Sequence, residues 1–208
     1  MTLDERLDAL GALWSLWAGH GRAMTDEQWR LPTRLGDWDV RSLYAHAGGW
    51  PVGMTRLVDR VRDAEPTHAT AAALLRDFNA PDGVANTARD AVAERARGDG
   101  ERYSTAEMVE AFAGAGPRAI AAARGLGPVV VEYFGRALLR LDEAVSIGVM
   151  EATVHLLDLR HALGQPADLP AGGLAHTTAV LVAMAPPVDL IEAATGRVSA
   201  VTVFPVLS

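Results

Sequence analysis

Two ionisable side chains, Glu151 and His155, lie four positions apart in an otherwise apolar segment. On an α-helix, residues at this spacing differ by about 40° in azimuth and about 6 Å in rise, so they share one face. Asp158 lies about 20° from Glu151 on the same face, two turns along. A glutamate–histidine pair of this kind is often a solvated surface contact. Ionisable groups in an apolar helix are costly, however, unless they are paired or bind a metal. The common face of Glu151, His155 and Asp158 therefore predicts a metal site.

A third metal ligand must come from another element, because a catalytic zinc site uses three protein ligands and keeps one open position. The chain has no cysteine, so the candidates are the remaining histidines: His20, His46, His68, His161 and His176. His161 lies about 240° round the helix from His155 and points away. His20 lies at a glycine-flanked helix end, and His68 and His176 lie near element starts, where surface histidines are expected. His46 is therefore favoured by elimination.

Helices must position these residues. Apolar residues recur at helical spacing over residues 3–23, 141–163 and about 173–185. Asp39 is a suitable N-cap for a helix that begins at Val40 and carries His46. Pro51 predicts a kink or a brief break in that helix, because proline lacks a backbone donor.

A further helix is predicted from a capping box, Ser104 with Glu107, and is expected to run to Arg124. Residues 129–134 are rich in valine and aromatic residues, which is typical of a short strand or an extended segment. Valines recur in the tail at positions 198, 201, 203 and 206, which suggests one or two terminal strands.

Composition limits the class of protein. The 208 residues are half hydrophobic, enough for one core without disulfides. A net charge of -7 argues against nucleic acid as the main partner, since phosphate binding needs a basic surface. The charged N-terminus shows no secretory signal, and no segment has the roughly 18 apolar residues of a membrane helix. We therefore expect a mainly α, cytoplasmic protein with no membrane partner, present as a monomer or homodimer.

A family resemblance rests on two separated motifs. The first is Trp29…Leu31-Pro32-Thr33…Gly36-Asp37-Trp38-Asp39-Val40, continuing to His46, and the second is Glu151-x-x-x-His155-x-x-Asp158-Leu159. Together they resemble the mycothiol-dependent maleylpyruvate isomerase family, which belongs to the DinB-like four-helix-bundle metalloproteins. The resemblance implies such a bundle over residues 1–186, with a short C-terminal segment, 187–208, packed on it.

By this resemblance, His46, Glu151 and His155 hold a divalent metal, zinc in preference to nickel or another ion. Asp158 maps onto an acidic residue implicated in catalysis, although a hydrogen-bonding partner of the metal histidine is an alternative role. The family's isomerases have a C-terminal α/β extension that supplies an arginine. About 20 residues follow Asp189 here, and Arg197 is the candidate for that role. A substrate-binding arginine on a middle helix is unassigned among Arg76, Arg89 and Arg118.

The implied activity depends on an external thiol, because the chain has no cysteine. In the isomerases that the chain resembles, zinc activates the thiol of mycothiol, which adds reversibly to a cis double bond. The resemblance thus implies an isomerase or thiol S-transferase acting on a small electrophilic or carboxylate metabolite. Two alternatives remain open: a thiol-independent metal-dependent hydrolase, lyase or cyclase, and a non-catalytic metal-binding module.

Overall fold

A computed structural model describes residues 1–207, with only the backbone of Val58 and Thr202. The fold is mainly α, as predicted. Its helices are α1 (Leu3–Ala23), α2 (Val40–Met54), α3 (Ala71–Phe78), α4 (Val84–Thr87), α5 (Arg89–Arg102), α6 (Thr105–Glu110), α7 (Gly116–Leu126), α8 (Leu141–Ala162), α9 (Ala171–Met184) and α10 (Pro187–Ala194). A π-helical turn, Ala111–Ala115, joins α6 to α7. Short 3-10 turns lie at Gln28–Arg30, Leu57–Arg60 and Ala200–Thr202.

Four of these helices form a bundle. Helix α1 packs on α8, α8 on α2, α2 on α7, and α7 back on α1, which closes a ring around one core. The core contains large side chains with less than 2% exposure, among them Leu7, Leu10, Leu13, Leu43 and Leu141. Gly116 lets α7 approach α1 closely, because a Cβ there would lie 3.2 Å from the Trp14 ring. Helices α5 and α9 pack on the outside of this ring, against α2 and α8.

The predicted helix starts are confirmed by their capping contacts. The Asp39 carboxylate accepts a hydrogen bond from the Ser42 backbone N–H at 2.8 Å, which satisfies a donor in the first turn of α2. Ser104 and Glu107 form the expected capping box of α6. Helix α2 continues through Pro51 to Met54, so a break at Pro51 is wrong, while the kink offered as its alternative stays a prediction. Pro51 and Met54 are both buried, and packing keeps this last turn helical.

A small antiparallel sheet lies beside the bundle, in the order β1 (Val61–Arg62), β2 (Val130–Tyr133), β3 (Ala137–Arg140). Strands β2 and β3 form a hairpin in which Val131 pairs with Leu139. The strand expected within residues 129–134 is therefore confirmed.

The terminal strands expected from the tail valines are wrong. Within residues 187–207, the structure has α10 and a 3-10 turn instead. Pro187 suits the first turn of a helix, and Asp189 is favourable there because of the helix dipole. The division of the chain at residue 186 stays a prediction.

Among the described helices, none is by itself long and apolar enough to cross a membrane. Helices α9 and α10 meet that test only as a pair, and the chain bends by 116° between them.

Candidate metal centre

Helix α8 carries the carboxylate and imidazole pair predicted from the sequence. Its buried face is apolar through Val145, Val149, Leu156 and Leu159, which fixes its rotation against the core. Glu151 and His155 then lie one turn apart on a partly exposed flank, with side-chain exposures of 25% and 16%. The separation between His155 Nε2 and Glu151 Oε2 is 3.5 Å.

Helix α2 brings His46 to this pair, as predicted. One ligand atom from each of His46, Glu151 and His155 can be chosen so that all three lie within 4.8 Å of one another. The two imidazole rings are 5.2 Å apart between centroids and nearly perpendicular, at 88°. Among the described residues, these three form the only such group of histidine, cysteine and carboxylate side chains.

Asp158 supports His155 from the side opposite Glu151. Its Oδ2 lies 3.1 Å from His155 Nδ1, and its Oδ1 accepts a 2.7 Å hydrogen bond from Arg34 Nε. The Asp158 side chain is only 3% exposed, whereas that of Arg34 is 50% exposed. His155 thus presents Nε2 to Glu151 while Nδ1 engages Asp158, which is the arrangement of a carboxylate–histidine–metal triad.

The two histidines have opposite pKa shifts. Burial lowers the pKa of His46, and the neighbouring His155 lowers it further, to about 4. Burial also works to lower the pKa of His155, but hydrogen bonds to Asp158 and Glu151 outweigh it and raise the pKa to about 9. At neutral pH without a metal, His46 is therefore a neutral imidazole and His155 is an imidazolium.

The two carboxylates remain ionised in this setting. Burial acts to raise the pKa of Glu151, but the hydrogen bond and charge of His155 bring it below its ordinary value. Burial likewise opposes the ionisation of Asp158, and hydrogen bonds from His155 and Arg34 lower its pKa more strongly. Two anions thus flank the His155 imidazolium, and a metal dication would take the place of the proton on Nε2, beside Glu151.

The donor set fits a divalent metal such as zinc. Two imidazoles and one carboxylate are ligands that zinc accepts in catalytic sites. Within residues 1–207, the ring of His46 has no hydrogen-bond partner, and burial lowers its pKa. Its lone pair is therefore available to a ligand.

Aromatic side chains surround the triad. A narrow crevice beside Glu151 and His155, too tight to hold a water molecule, is lined by Trp14, Trp17, Ala47, Trp50, Phe112 and Ala152. Trp17 and Phe112 stack at 5.1 Å, so this inner side is packed closed. Burial and the charge of Glu151 raise the pKa of Tyr133, which keeps its hydroxyl protonated. Any ligand must approach from the solvent-facing side, where Glu151 is partly exposed.

The comparison with known families agrees with this geometry. Residues 10–160, which include the whole triad and Asp158, match the family described as mycothiol maleylpyruvate isomerase N-terminal domain. The chain belongs to this family. Among curated proteins and among solved structures, no significant match is found.

The other arginines suggested by the resemblance lie elsewhere in this family member. Arg197 is exposed beyond α10, with its guanidinium 3.4 Å from the Thr195 carbonyl oxygen. The three alternatives have other partners: Arg76 with Ala183, Arg89 with Asn86, and Arg118 with Glu110. No contact between these arginines and the triad is found in the described chain. His176, expected at the surface, is buried on α9 instead, because α9 packs against α1 and α8.

Two residues beside the site were not singled out for it from the sequence. Arg34 binds Asp158 across 124 positions, a separation that no local spacing can reveal. The ring of Trp38 packs edge-on against His46, at 5.0 Å between centroids. Trp38 belongs to the motif that carries the family resemblance, so its place in that motif could have indicated a role at the site.

Proposed function

We propose that this chain is a zinc-dependent enzyme that uses mycothiol and acts as an isomerase or thiol S-transferase on a small electrophilic or carboxylate metabolite in the cytoplasm. The observation that carries the proposal is the convergence of His46, Glu151 and His155 from two bundle helices. Membership of the mycothiol maleylpyruvate isomerase N-terminal domain family supports the thiol and the reaction class.

A zinc ion held by these three residues would lower the pKa of a bound thiol or water and polarise a carbonyl group. The residues around it have complementary tasks. His155 must give up its extra proton to become a ligand, and the buried Asp158 carboxylate keeps Nδ1 as the hydrogen-bond donor. We assign Asp158 this orienting role in preference to proton transfer, because both of its oxygens already have partners.

The packed side chains of Trp14, Trp17, Trp50 and Phe112 exclude water from the inner side of the site. Exclusion of water strengthens electrostatic interactions there. The crevice beside Glu151 and His155 has no room for a sugar-thiol, so mycothiol would lie along the solvent-facing side with its sulfur directed at the triad. A thiol-independent reaction at the same site, in which the metal would activate water or polarise a carbonyl group, is the second candidate.

The test combines metal analysis with thiol titration. We expect one zinc per chain in the wild type and none in His46→Gln, with exposed His161→Gln as the matched control that keeps its zinc. Calorimetric titration should then show that mycothiol binds the zinc-loaded protein, and that the metal-free protein and S-methylated mycothiol bind at least tenfold more weakly or not at all.

Each part of the proposal has its own contradicting result. A wild type without stoichiometric metal would refute the metal site. Zinc-loaded protein that binds mycothiol and its S-methyl derivative equally would refute the role of the thiol. Turnover of maleylpyruvate at the same rate with and without mycothiol would favour the thiol-independent reaction.

A further inference from the structure

The loop that precedes α2, residues 31–39, reaches both histidines of the triad, His46 by direct contact and His155 through Asp158. Arg34 binds Asp158, which binds His155. Four positions later, Trp38 packs directly on His46. One short segment therefore reaches both ligands, although these lie on different helices and 109 positions apart in the chain.

The loop is built to hold these two side chains in place. The Trp38 carbonyl oxygen accepts hydrogen bonds from the backbone N–H and the hydroxyl of Thr33, at 2.9 and 2.8 Å. The Val40 N–H donates to the Leu31 carbonyl oxygen at 2.9 Å, which closes the base of the loop. Gly36 turns the chain at a φ of +61°, a conformation that favours glycine. The loop is thus a closed unit joined to the start of α2.

The Arg34 contact fixes the geometry of Asp158. A buried carboxylate with two oxygens can rotate about its side-chain bonds unless both oxygens are held. Here Arg34 takes Oδ1, so Oδ2 remains directed at His155 Nδ1. With Nδ1 engaged, His155 turns Nε2 toward Glu151. Outer partners of this kind orient metal ligands and restrict their rotation.

The Trp38 contact acts on the other histidine. The ring of His46 has no hydrogen-bond partner among residues 1–207 that could set its rotation, so its orientation depends on packing. Trp38 lies edge-on at 67° on one side, and the His155 ring lies at 88° on another.

We propose that the 31–39 loop is a positioning element of the metal centre, in which Arg34 acts on His155 through Asp158 and Trp38 acts on His46 by contact. The inference rests on the proposed metal site. It assigns neither residue to the reaction itself. Its consequence is reciprocal: if the loop favours metal binding, bound metal must stabilise the loop by the same free energy.

The test measures zinc affinity by competition with a chromophoric chelator. We expect Arg34→Gln to weaken zinc binding about tenfold, the lower end of the effect of outer partners. Arg34→Lys should recover most of the affinity, because an ammonium can still bind Oδ1. Arg30→Gln is the matched control, since Arg30 is exposed near the same loop and its side chain has no partner in the described chain. It should leave zinc affinity unchanged.

A double-mutant cycle separates positioning from a general effect. Asp158→Asn should weaken zinc binding about 10–100-fold. If Arg34 acts through Asp158, Arg34→Gln should add little in that background. Fully additive losses, or an Arg34→Gln variant with the affinity of Arg30→Gln, would overturn the role of Arg34. Trp38→Leu should lower zinc affinity and Trp38→Phe should restore it, and equal affinity of Trp38→Leu and wild type would overturn the role of Trp38.

Hydrogen exchange provides a readout on the loop itself. Zinc should slow exchange of the Thr33 and Val40 N–H groups, which close the loop, and leave that of Thr195 in the C-terminal segment unchanged. A wild type that binds zinc without protecting these amides would overturn the reciprocal coupling. A wild type that binds no zinc would instead overturn the proposed function, and the loop's role with it.

Discussion

Helix α8 carries two clusters of ionisable groups, one near each end, and the two differ in whether every member has a partner. At the N-terminal end, Arg6 donates from Nη1 to Ser146 Oγ at 2.7 Å and to Glu143 Oε1 at 2.9 Å. The second oxygen of Glu143 accepts from the Ala71 N–H at 2.6 Å. Asp142 completes this cluster by pairing with Arg140.

Near the other end, the cluster is incomplete. His155 and Asp158 are paired, yet the His46 ring beside them has no hydrogen-bond partner within residues 1–207. Two carboxylates there face one imidazolium. Both clusters are largely buried and both lie on one apolar helix, so burial of charge alone does not distinguish a site from a structural contact. The incomplete cluster is distinguished by three possible ligand atoms, from His46, Glu151 and His155, that lie within 4.8 Å of one another.

The first prediction breaks the incomplete cluster. His46→Gln preserves side-chain volume approximately and removes an imidazole ligand, so zinc affinity should fall by more than the roughly 10–100-fold that loss of an outer partner causes. Chelator competition and metal analysis measure this loss. The free energy of unfolding of the metal-free protein should change by less than about 1 kcal/mol, because His46 has no hydrogen bond to lose.

His161→Gln is the control on the same helix as His155 and should match the wild type in both measurements. If His46→Gln retained wild-type zinc affinity, the assigned triad would be wrong.

The second prediction concerns a variant that removes the central cation of the complete cluster. Arg6→Met leaves Glu143 and Asp142 without their buried cation, and removal of one partner from a buried ion pair costs about 3–5 kcal/mol. Urea unfolding of the metal-free protein measures this loss. Zinc stoichiometry in the folded variant should remain that of the wild type.

The matched control is Arg140→Met. The Arg140 side chain is 62% exposed and its guanidinium also pairs with Asp142, so its loss should cost less than about 1 kcal/mol. Equal destabilisation by the two variants would show that the Arg6 cluster is an ordinary surface network.

The contacts of the metal centre differ in how far they could be predicted from the sequence. Glu151, His155 and Asp158 are related by helical spacing alone, so their common face was predictable. His46 required elimination and a family resemblance, because its approach to α8 is a tertiary contact. The Arg34–Asp158 hydrogen bond could not be predicted, since it depends on how the loop before α2 crosses the end of α8.

For the fold, too, local signals could be predicted from the sequence and tertiary contacts could not. The bundle helices were predicted from periodicity and caps such as Asp39, which are local signals. The tail was predicted incorrectly from four valines, since strand formation there would need an edge to pair with. The continuation of α2 past Pro51 depends on packing, which overrides the local preference of proline.

The smallest effect concerns the pH dependence of the incomplete cluster, which contains His46 and His155. In metal-free protein, the pKa of His155 is raised to about 9 from 6.5, so the stability it contributes is complete below pH 6.5 and is lost as pH rises through 9. The pKa of His46 is lowered to about 4, so its contribution is complete above pH 6.5 and is lost as pH falls toward 4. The two shifts together predict maximal stability of the metal-free protein near pH 6.5.

Above that maximum, the free energy of unfolding should fall by up to about 1.4 kcal/mol per pH unit, the value for one proton. Urea titrations at pH 6.5, 7.5 and 8.5 measure it. Arg6→Met should show the same slope at lower overall stability, whereas His155→Gln should abolish the slope. Zinc should also remove it, because the bound ion takes the place of the His155 proton. A slope that persisted in zinc-loaded protein would mean that His155 keeps its proton and is not a ligand.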